Sequence, residues 1–324
     1  MIIKKLYHKL FKFNCGNLKS NKPVNAYNIL EIKNQTYGVD KKNNIFDFYF
    51  SNDHKKHPTI FMIHGGGYVA GQKEDSNRFI NELLLKNFNV VNFEYTKCDD
   101  ENKKYMPQQV FEAFECFKVL QKEEKFSSKI DFNNFYIAGD SAGGHIASLI
   151  ANIQTNDNLK FDFNLTGGPK IKGVILICPI FGPYEFKGFY PKNQFHDIVY
   201  GKENDLAAIC HSLDVLTNKF PPSIIVSMPN DFLSRTHVKM FCKKAKSFNL
   251  PVKFCDIKKG YKLFHDTPVK FADRYPKTMK EIENFIVETS LNIFPKGLEV
   301  KEIFENDLIT ELEKLASKTE ERYL

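Results

Sequence analysis

The chain has 324 residues, and its 46 Lys and Arg against 39 Asp and Glu give a net charge of +7. Its hydrophobic fraction of 42% and charged fraction of 26% are typical of a globular protein and exclude disordered, collagen-like and coiled-coil chains. Lysines and asparagines interrupt every hydrophobic run, which excludes a membrane-spanning helix. The basic residues are nearly all lysines spread along the chain, so nucleic acid is not an expected partner.

The N-terminal segment 1–13 is basic and carries apolar residues at helical spacing, but it has no long apolar stretch and no cleavage site. We expect an amphipathic helix docked on its own domain, with a weak peripheral membrane contact as the open alternative. The seven cysteines are scattered and form no C-x-x-C pair, which indicates reduced thiols and a cytoplasmic location.

From residue 44 onward, short apolar runs alternate with longer amphipathic ones, a pattern typical of a mostly parallel sheet flanked by helices. Strands are predicted at 44–50, 59–63, 90–95, 135–138, 174–178, 224–227 and 252–257. Helices are predicted near 80–86, 107–121, 142–153, 235–248 and 276–290. In the second of these helices the apolar stripe consists of Val110, Phe114, Phe117 and Leu120. The fold class expected is therefore α/β, as a single domain over 1–324.

Two segments interrupt this alternation. Residues 182–220 are too many for a structureless loop, so we expect an inserted small helical lid, to which the N-terminal segment 1–40 also contributes. Aromatic and histidine side chains in the lid either line a site or pack: Phe186, Phe189, Tyr190, Phe195, His196 and His211. The tail, 296–324, is predicted to be a C-terminal helical extension, whose segment 302–315 packs against the body or forms a homodimer contact.

The strongest motif is Gly-Asp-Ser-Ala-Gly-Gly at 139–144, which lies between a predicted strand and a predicted helix. A strand-to-helix turn around G-x-S-x-G strains the backbone of the serine and projects its hydroxyl beyond the sheet. Glycines at 139 and 143 are needed because side chains would collide in so sharp a turn. Ser141 is therefore a candidate nucleophile, and Asp140 a supporting residue.

A second motif, His-Gly-Gly-Gly-Tyr at 64–68, directly follows the strand 59–63. Consecutive glycines let main-chain N–H groups approach a substrate oxyanion. The expected oxyanion hole comprises Gly65, Gly66, Gly67 and Ala142, and His64 is expected to hold the loop by hydrogen bonding. A phosphate cradle is disfavoured because no G-K-[ST] follows.

Together the two motifs resemble the hormone-sensitive-lipase-like family of α/β-hydrolases, which carry an HGGG loop upstream of a GDSAGG elbow. The resemblance covers residues 45–290 and implies an α/β-hydrolase fold with the chain order serine, acid, histidine. Asp231, in Met-Pro-Asn-Asp-Phe-Leu after the strand 224–227, matches the acid, although Phe232 stands where the family usually has proline. His265 matches the base. Asp256 and Asp266 compete with Asp231 for the role of the acid.

The resemblance implies a serine carboxylesterase that acts on short- to medium-chain acyl esters of small molecules without a cofactor. No metal is expected, because the pair His54 and His57 lies in a lysine-rich loop without a third strong ligand. An amidase or peptidase with the same triad stays open, as does a ligand-binding protein that uses the fold without turnover.

Overall fold

The computed structural model describes residues 24–53, 55–99, 101–182, 192–202, 205–261 and 263–305. The segment 1–13 and the lid aromatics Phe186, Phe189 and Tyr190 lie outside these ranges, as does the side chain of Phe195. Among the described residues, no helix is long and apolar enough to cross a membrane.

A single nine-stranded sheet forms the centre of the molecule, in the order β1-β2-β4-β3-β5-β6-β7-β8-β9. β1 and β2 run antiparallel to their neighbours, and all other pairs are parallel. The strands are β1 Ile29–Thr36, β2 Ile45–Ser51, β3 His57–Ile63, β4 Asn89–Phe93, β5 Ile130–Asp140, β6 Ile171–Ile177, β7 Ser223–Ser227, β8 Val252–Lys259 and β9 Leu298–Phe304. This topology confirms the expected α/β class.

Helices cover both faces of the sheet. They are α1 Asn77–Leu84, α2 Gln108–Lys122, α3 Glu124–Ser127, α4 Ala142–Thr155, α5 Asp157–Asp162, α6 Lys192–Tyr200, α7 Arg235–Ser247, α8 Thr267–Lys270 and α9 Pro276–Ser290. Short 3-10 turns lie at Lys73–Ser76, Ala208–Cys210 and Ala272–Arg274. The five helices predicted from sequence are all present, with boundaries shifted by a few residues at most.

Successive side chains of each strand point to opposite faces of the sheet, so the core forms two layers. In β3, Phe61 and Ile63 face a layer that includes residues of α2, α4 and α7. Ile60 and Met62 face the opposite layer, which includes residues of α1 and α9. The predicted stripe of α2 is fully part of the first layer, because its four apolar residues are all buried there. Strands covered on both faces must be apolar throughout, which explains their short continuous hydrophobic runs.

The assignment of residues 1–40 to the lid is wrong for the segment Ile29–Thr36, which forms the edge strand β1. β1 pairs antiparallel with β2, from Ile29 opposite Ser51 to Thr36 opposite Ile45. Its sequence is rich in polar residues because most of its side chains are exposed at the sheet edge. Main-chain hydrogen bonds to β2 therefore hold this segment, whose sequence has no apolar run that would predict a strand.

The predicted helical extension at 296–324 is also wrong at its start, where Leu298–Phe304 forms the opposite edge strand β9. β9 pairs in parallel with β8, with Glu302 opposite Asp256. Only Ile303 of its side chains is buried, so the strand lacks the apolar run by which the inner strands were predicted. Residues 306–324 lie outside the described residues, and the homodimer contact stays a prediction. Within 182–220, the described part contains α6 and the turn Ala208–Cys210, and the helical lid stays a prediction.

Candidate active site

The turn between β5 and α4 holds Ser141 in a strained conformation. Its φ of 51° and ψ of −117° suit glycine rather than a residue with a side chain. A Cβ on Gly139 would lie 2.3 Å from the carbonyl oxygen of Gly143, and a Cβ on Gly143 would lie 2.2 Å from that of Ile63. The two glycines are thus required by close approach of the main chain, as the sequence predicted.

Three candidate residues meet at the carboxyl ends of the parallel strands. Ser141 follows β5, Asp231 follows β7 and His265 follows β8. The Nε2 atom of His265 lies 2.8 Å from Ser141 Oγ, and its Nδ1 atom lies 2.8 Å from Asp231 Oδ2. The imidazole therefore bridges the hydroxyl and the carboxylate, which is the arrangement that nucleophile activation requires.

Hydrogen bonds from its own turn orient the Asp231 carboxylate. Asp231 is almost fully buried, and its Oδ1 accepts main-chain N–H groups of Leu233 and Ser234, each at 3.0 Å. The Ser234 hydroxyl donates to Oδ2. Burial alone would raise the pKa of Asp231, but the interactions with His265 and Ser234 lower it to about 2. Asp231 is thus a carboxylate at neutral pH. Phe232, which departs from the family pattern, is 75% exposed and leaves this turn intact.

His265 lies between two carboxyl groups. Burial by itself would lower the pKa of His265, but Asp266 and Asp231 outweigh it and raise the pKa to about 9. Asp266 Oδ2 lies 3.1 Å from Nε2, the nitrogen that also faces Ser141. The sequence offers Asp266 only as a competitor for the place of Asp231, whereas the structure puts Asp266 near Nε2 and Asp231 at Nδ1.

The glycine loop after β3 lies against the serine. An added Cβ at Gly65 would come within 3.1 Å of Ser141 Cβ, so this main chain borders the nucleophile directly. His64 is fully buried, with Nδ1 donating to the Gly65 carbonyl at 2.6 Å and Nε2 lying 3.1 Å from Glu94 Oε1. The Tyr95 hydroxyl donates to the His64 carbonyl at 2.9 Å. These bonds hold the loop, which is the part expected of His64.

Gly65 differs from the expectation in one respect. Its N–H donates to Asp140 Oδ1 at 2.9 Å, so it is not available to an oxyanion. The candidate donors that remain are Gly66, Gly67 and Ala142. Ala142 is the first residue of α4, and the first N–H groups of a helix have no partner within it. The buried Asp140 thus joins the serine turn to the glycine loop by this hydrogen bond, and its supporting role stays a prediction.

The buried His145 links the segment 182–220 to the candidate site by hydrogen bonds. Tyr68, at the end of the glycine loop, donates its hydroxyl proton to His145 Nδ1 at 2.8 Å. His145 Nε2 donates in turn to the carbonyl of Cys210 at 2.6 Å. Burial lowers the pKa of His145 to about 3, so the ring is neutral and can serve both bonds. The two histidines of the predicted lid, His196 and His211, lie close together, with ring centroids 6.2 Å apart. No sequence pattern points to Tyr68 or His145 beyond their place beside the motifs.

The thiol of Cys178 lies behind the site. Its sulfur, a carboxylate oxygen of Asp231 and a ring nitrogen of His265 all lie within 4.8 Å of one another. Burial raises the pKa of the Cys178 thiol well above its usual range, so it stays protonated, whereas a cysteine that binds metal is a thiolate. The expectation of no metal stays a prediction.

Comparison with known proteins places the chain in a family. The BD-FAE family model matches residues 46–236, which include the glycine loop, Ser141 and Asp231. A protein of Acanthamoeba polyphaga mimivirus named as an alpha/beta hydrolase is 28% identical over 124 residues, which cover 38% of this chain and 32% of that protein. A Gibberella moniliformis protein named "Esterase" is 25% identical over 186 residues, which cover 52% of this chain and 55% of its own. The chain thus spans about a third to about half of the length of these relatives.

Solved structures share the fold at low identity. Esterase B from Lactobacillus rhamnosis superimposes with a TM-score of 0.78 at 20% identity, over 90% of this chain and 96% of that one. A thermostable carboxylesterase cloned from a metagenomic library gives a TM-score of 0.64 at 16% identity, over 90% and 98% of the two chains. The expected resemblance to the hormone-sensitive-lipase-like α/β-hydrolases is confirmed in fold and family. The chain has the α/β-hydrolase fold and belongs to the BD-FAE family.

Proposed function

We propose that this protein is a serine carboxylesterase that hydrolyses short- to medium-chain acyl esters of small molecules through an acyl-enzyme intermediate. The observation that carries the proposal is the continuous series from Ser141 Oγ to His265 to Asp231, with both contacts at 2.8 Å. A serine held in a strained turn next to a glycine loop supports the same reaction, because acyl transfer needs a nucleophile and nearby N–H donors for the oxyanion.

In the first half of the proposed reaction, Ser141 Oγ attacks the ester carbonyl while its proton moves to His265 Nε2. The Asp231 carboxylate accepts a hydrogen bond from the Nδ1–H group of the imidazole and stabilises the imidazolium that forms. The negative charge on the former carbonyl oxygen is met by N–H groups of Gly66, Gly67 and Ala142. When the tetrahedral intermediate collapses, the Nε2 proton passes to the oxygen of the leaving alcohol, which departs.

In the second half, water takes the place of the alcohol. His265 Nε2 accepts a proton from the water as the oxygen attacks the acyl carbon, and the proton then returns to Ser141 Oγ as the acid is released. A protonated His265 cannot act as base, so activity is expected to fall as the pH drops through the pKa of about 9.

The substrate class rests on the relatives. The fungal relatives are named esterases, and the Lactobacillus rhamnosis Esterase B structure is described with a C4-C4 tributyrin phosphonate, which carries short acyl chains. Small esters of this kind are the substrates proposed here.

The test is hydrolysis of chromogenic p-nitrophenyl esters from acetyl to dodecanoyl by the purified wild type, Ser141→Ala and Ser148→Ala. Ser148 is a matched control because it is buried in the same helix and its hydroxyl donates to the His145 carbonyl of that helix. We expect a maximum at short chains, no turnover by Ser141→Ala and wild-type turnover by Ser148→Ala. Turnover by folded Ser141→Ala would exclude the mechanism, and hydrolysis of matching anilides in place of esters would favour the amidase.

A further inference from the structure

The carboxyl group of Asp266 is positioned at a cost to local stability. Asp266 is the residue that precedes α8, where aspartate usually accepts an N–H of the first helical turn. Its side chain makes no such bond, and its main chain is left-handed, with a φ of 59°. The residue is 6% exposed, and its Oδ1 has no hydrogen-bond partner among the described residues. A carboxyl group that gives up its cap and leaves one oxygen unpaired is not explained by folding alone.

The other oxygen of this carboxyl group faces the imidazole. Asp266 Oδ2 lies 3.1 Å from His265 Nε2, while Ser141 Oγ lies 2.8 Å from the same nitrogen. Since Nε2 carries at most one proton, the serine and Asp266 compete for this face. A neutral imidazole accepts a hydrogen bond from Ser141 there, whereas an imidazolium is stabilised by the charge of the nearby carboxylate.

We propose that Asp266 is a positioning residue for the proposed reaction. Its carboxyl group holds a proton on the Nε2 face of His265, so that the imidazole becomes available as base only at a more alkaline pH than Ser141 and Asp231 alone would set. This inference rests on the serine mechanism proposed above and adds to it a device that sets the working pH.

The remaining charges around the pair are consistent with this role. The titratable groups that face His265 or Asp266 from the surrounding elements are Asp231, Asp140, Lys270, Cys178 and His237. Burial lowers the pKa of His237 to about 4 and raises that of the Cys178 thiol, so both are neutral near pH 7. Burial also raises the pKa of Asp266 well above its usual range, although His265 and Lys270 oppose this shift. His265 and Asp266 therefore titrate as a coupled pair that shares one proton over the intermediate pH range.

The experiment compares the pH dependence of kcat/KM on p-nitrophenyl butyrate for the wild type, Asp266→Asn and Asp256→Asn. Asparagine preserves the shape of the side chain and tolerates the left-handed backbone. Asp256 is a matched control because it is equally buried, at 6% exposed, but is paired with Arg235 and Lys258. We expect the acidic limb of Asp266→Asn to move to lower pH by about 1 to 3 units, and that of Asp256→Asn to coincide with the wild type.

A second readout does not depend on turnover. The pKa of the His265 ring is measured by NMR in the same three proteins, and we expect it to fall in Asp266→Asn alone. If no ester is hydrolysed, the proposed function fails, but a lowered ring pKa would still support the pairing. If the acidic limb and the ring pKa of Asp266→Asn agree with those of the wild type within about 0.3 unit, the inference is overturned. If Asp266→Asn does not fold, Asp266→Gly serves instead, because glycine adopts the observed φ without strain.

Discussion

The strain at Ser141 leads to a prediction about stability that does not depend on any substrate. Its φ of 51° and ψ of −117° fall in a region that only glycine adopts readily. Such a residue stores about 1 to 3 kcal/mol. Replacement of Ser141 by glycine releases this strain but increases the conformational entropy of the unfolded chain, which costs about 0.5 to 1 kcal/mol. The midpoints of these two ranges differ by about 1 kcal/mol, which is the expected gain in the free energy of unfolding relative to alanine at the same position.

Ser141→Ala is the reference for this comparison. Both variants lose the Oγ contact with His265, and Ser141 makes no side-chain cap bond to α4, so the two differ only in a Cβ. The free energy of unfolding from urea titrations, at unchanged m, should be larger for Ser141→Gly. With about 2.1 cal/mol/K of unfolding entropy per residue, 1 kcal/mol corresponds to about 1.5 °C in Tm for this chain. Equal stability of the two variants, or a more stable alanine variant, would refute the claim of strain.

Three further predictions concern the turn and the acid. Gly143→Ala should lower the free energy of unfolding by more than about 2 kcal/mol, because its Cβ would lie 2.2 Å from the Ile63 carbonyl oxygen. Gly167→Ala, whose Cβ meets nothing within 4 Å but whose φ of 80° is left-handed, should lose only about 1 kcal/mol in the same urea titration. Asp231→Asn should lower kcat about 10⁴-fold without loss of fold, and a loss below tenfold in single-turnover kinetics would contradict the role of the acid. The lowered pKa of Asp231, about 2 against 3.8, contributes about 2 kcal/mol of stability above pH 4 that is lost as the pH falls through 2. The difference in free energy of unfolding between wild type and Asp231→Asn should therefore shrink with acidification, and a difference that does not change with pH would contradict the linkage.

The sequence predicted the inner part of the fold because burial on both faces leaves continuous apolar runs, as in β3, β6 and β7. It did not predict the edge strands β1 and β9. Most of their side chains are exposed, and what holds them is main-chain pairing with β2 and β8, which no side-chain pattern records.

The candidate site, like the fold, is only partly predictable from the sequence. The sequence indicates Ser141 and His265 as candidates because each lies in a motif or loop at the end of a predicted strand. The choice between Asp231 and Asp266 depended on which nitrogen of the imidazole each carboxyl group reaches, and this is set by the loop backbone. Asp231 reaches Nδ1 and Asp266 lies near Nε2, although Asp266 is the one adjacent in sequence. The hydrogen bond from the Gly65 N–H to Asp140 likewise depends on contact between two turns that are distant in sequence.

The most direct test of the central claim is covalent trapping of the nucleophile. The p-nitrophenyl ester of a short-chain alkyl phosphonate, which loses p-nitrophenolate when Ser141 Oγ attacks phosphorus, would be incubated with the wild type, Ser141→Ala and Ser148→Ala. The adduct would be located by peptide mass spectrometry. We expect one phosphonyl group on Ser141 in the wild type and in Ser148→Ala, and none in Ser141→Ala. A folded wild type that takes up no label, or carries it on another residue, would contradict the assignment of Ser141 as the nucleophile.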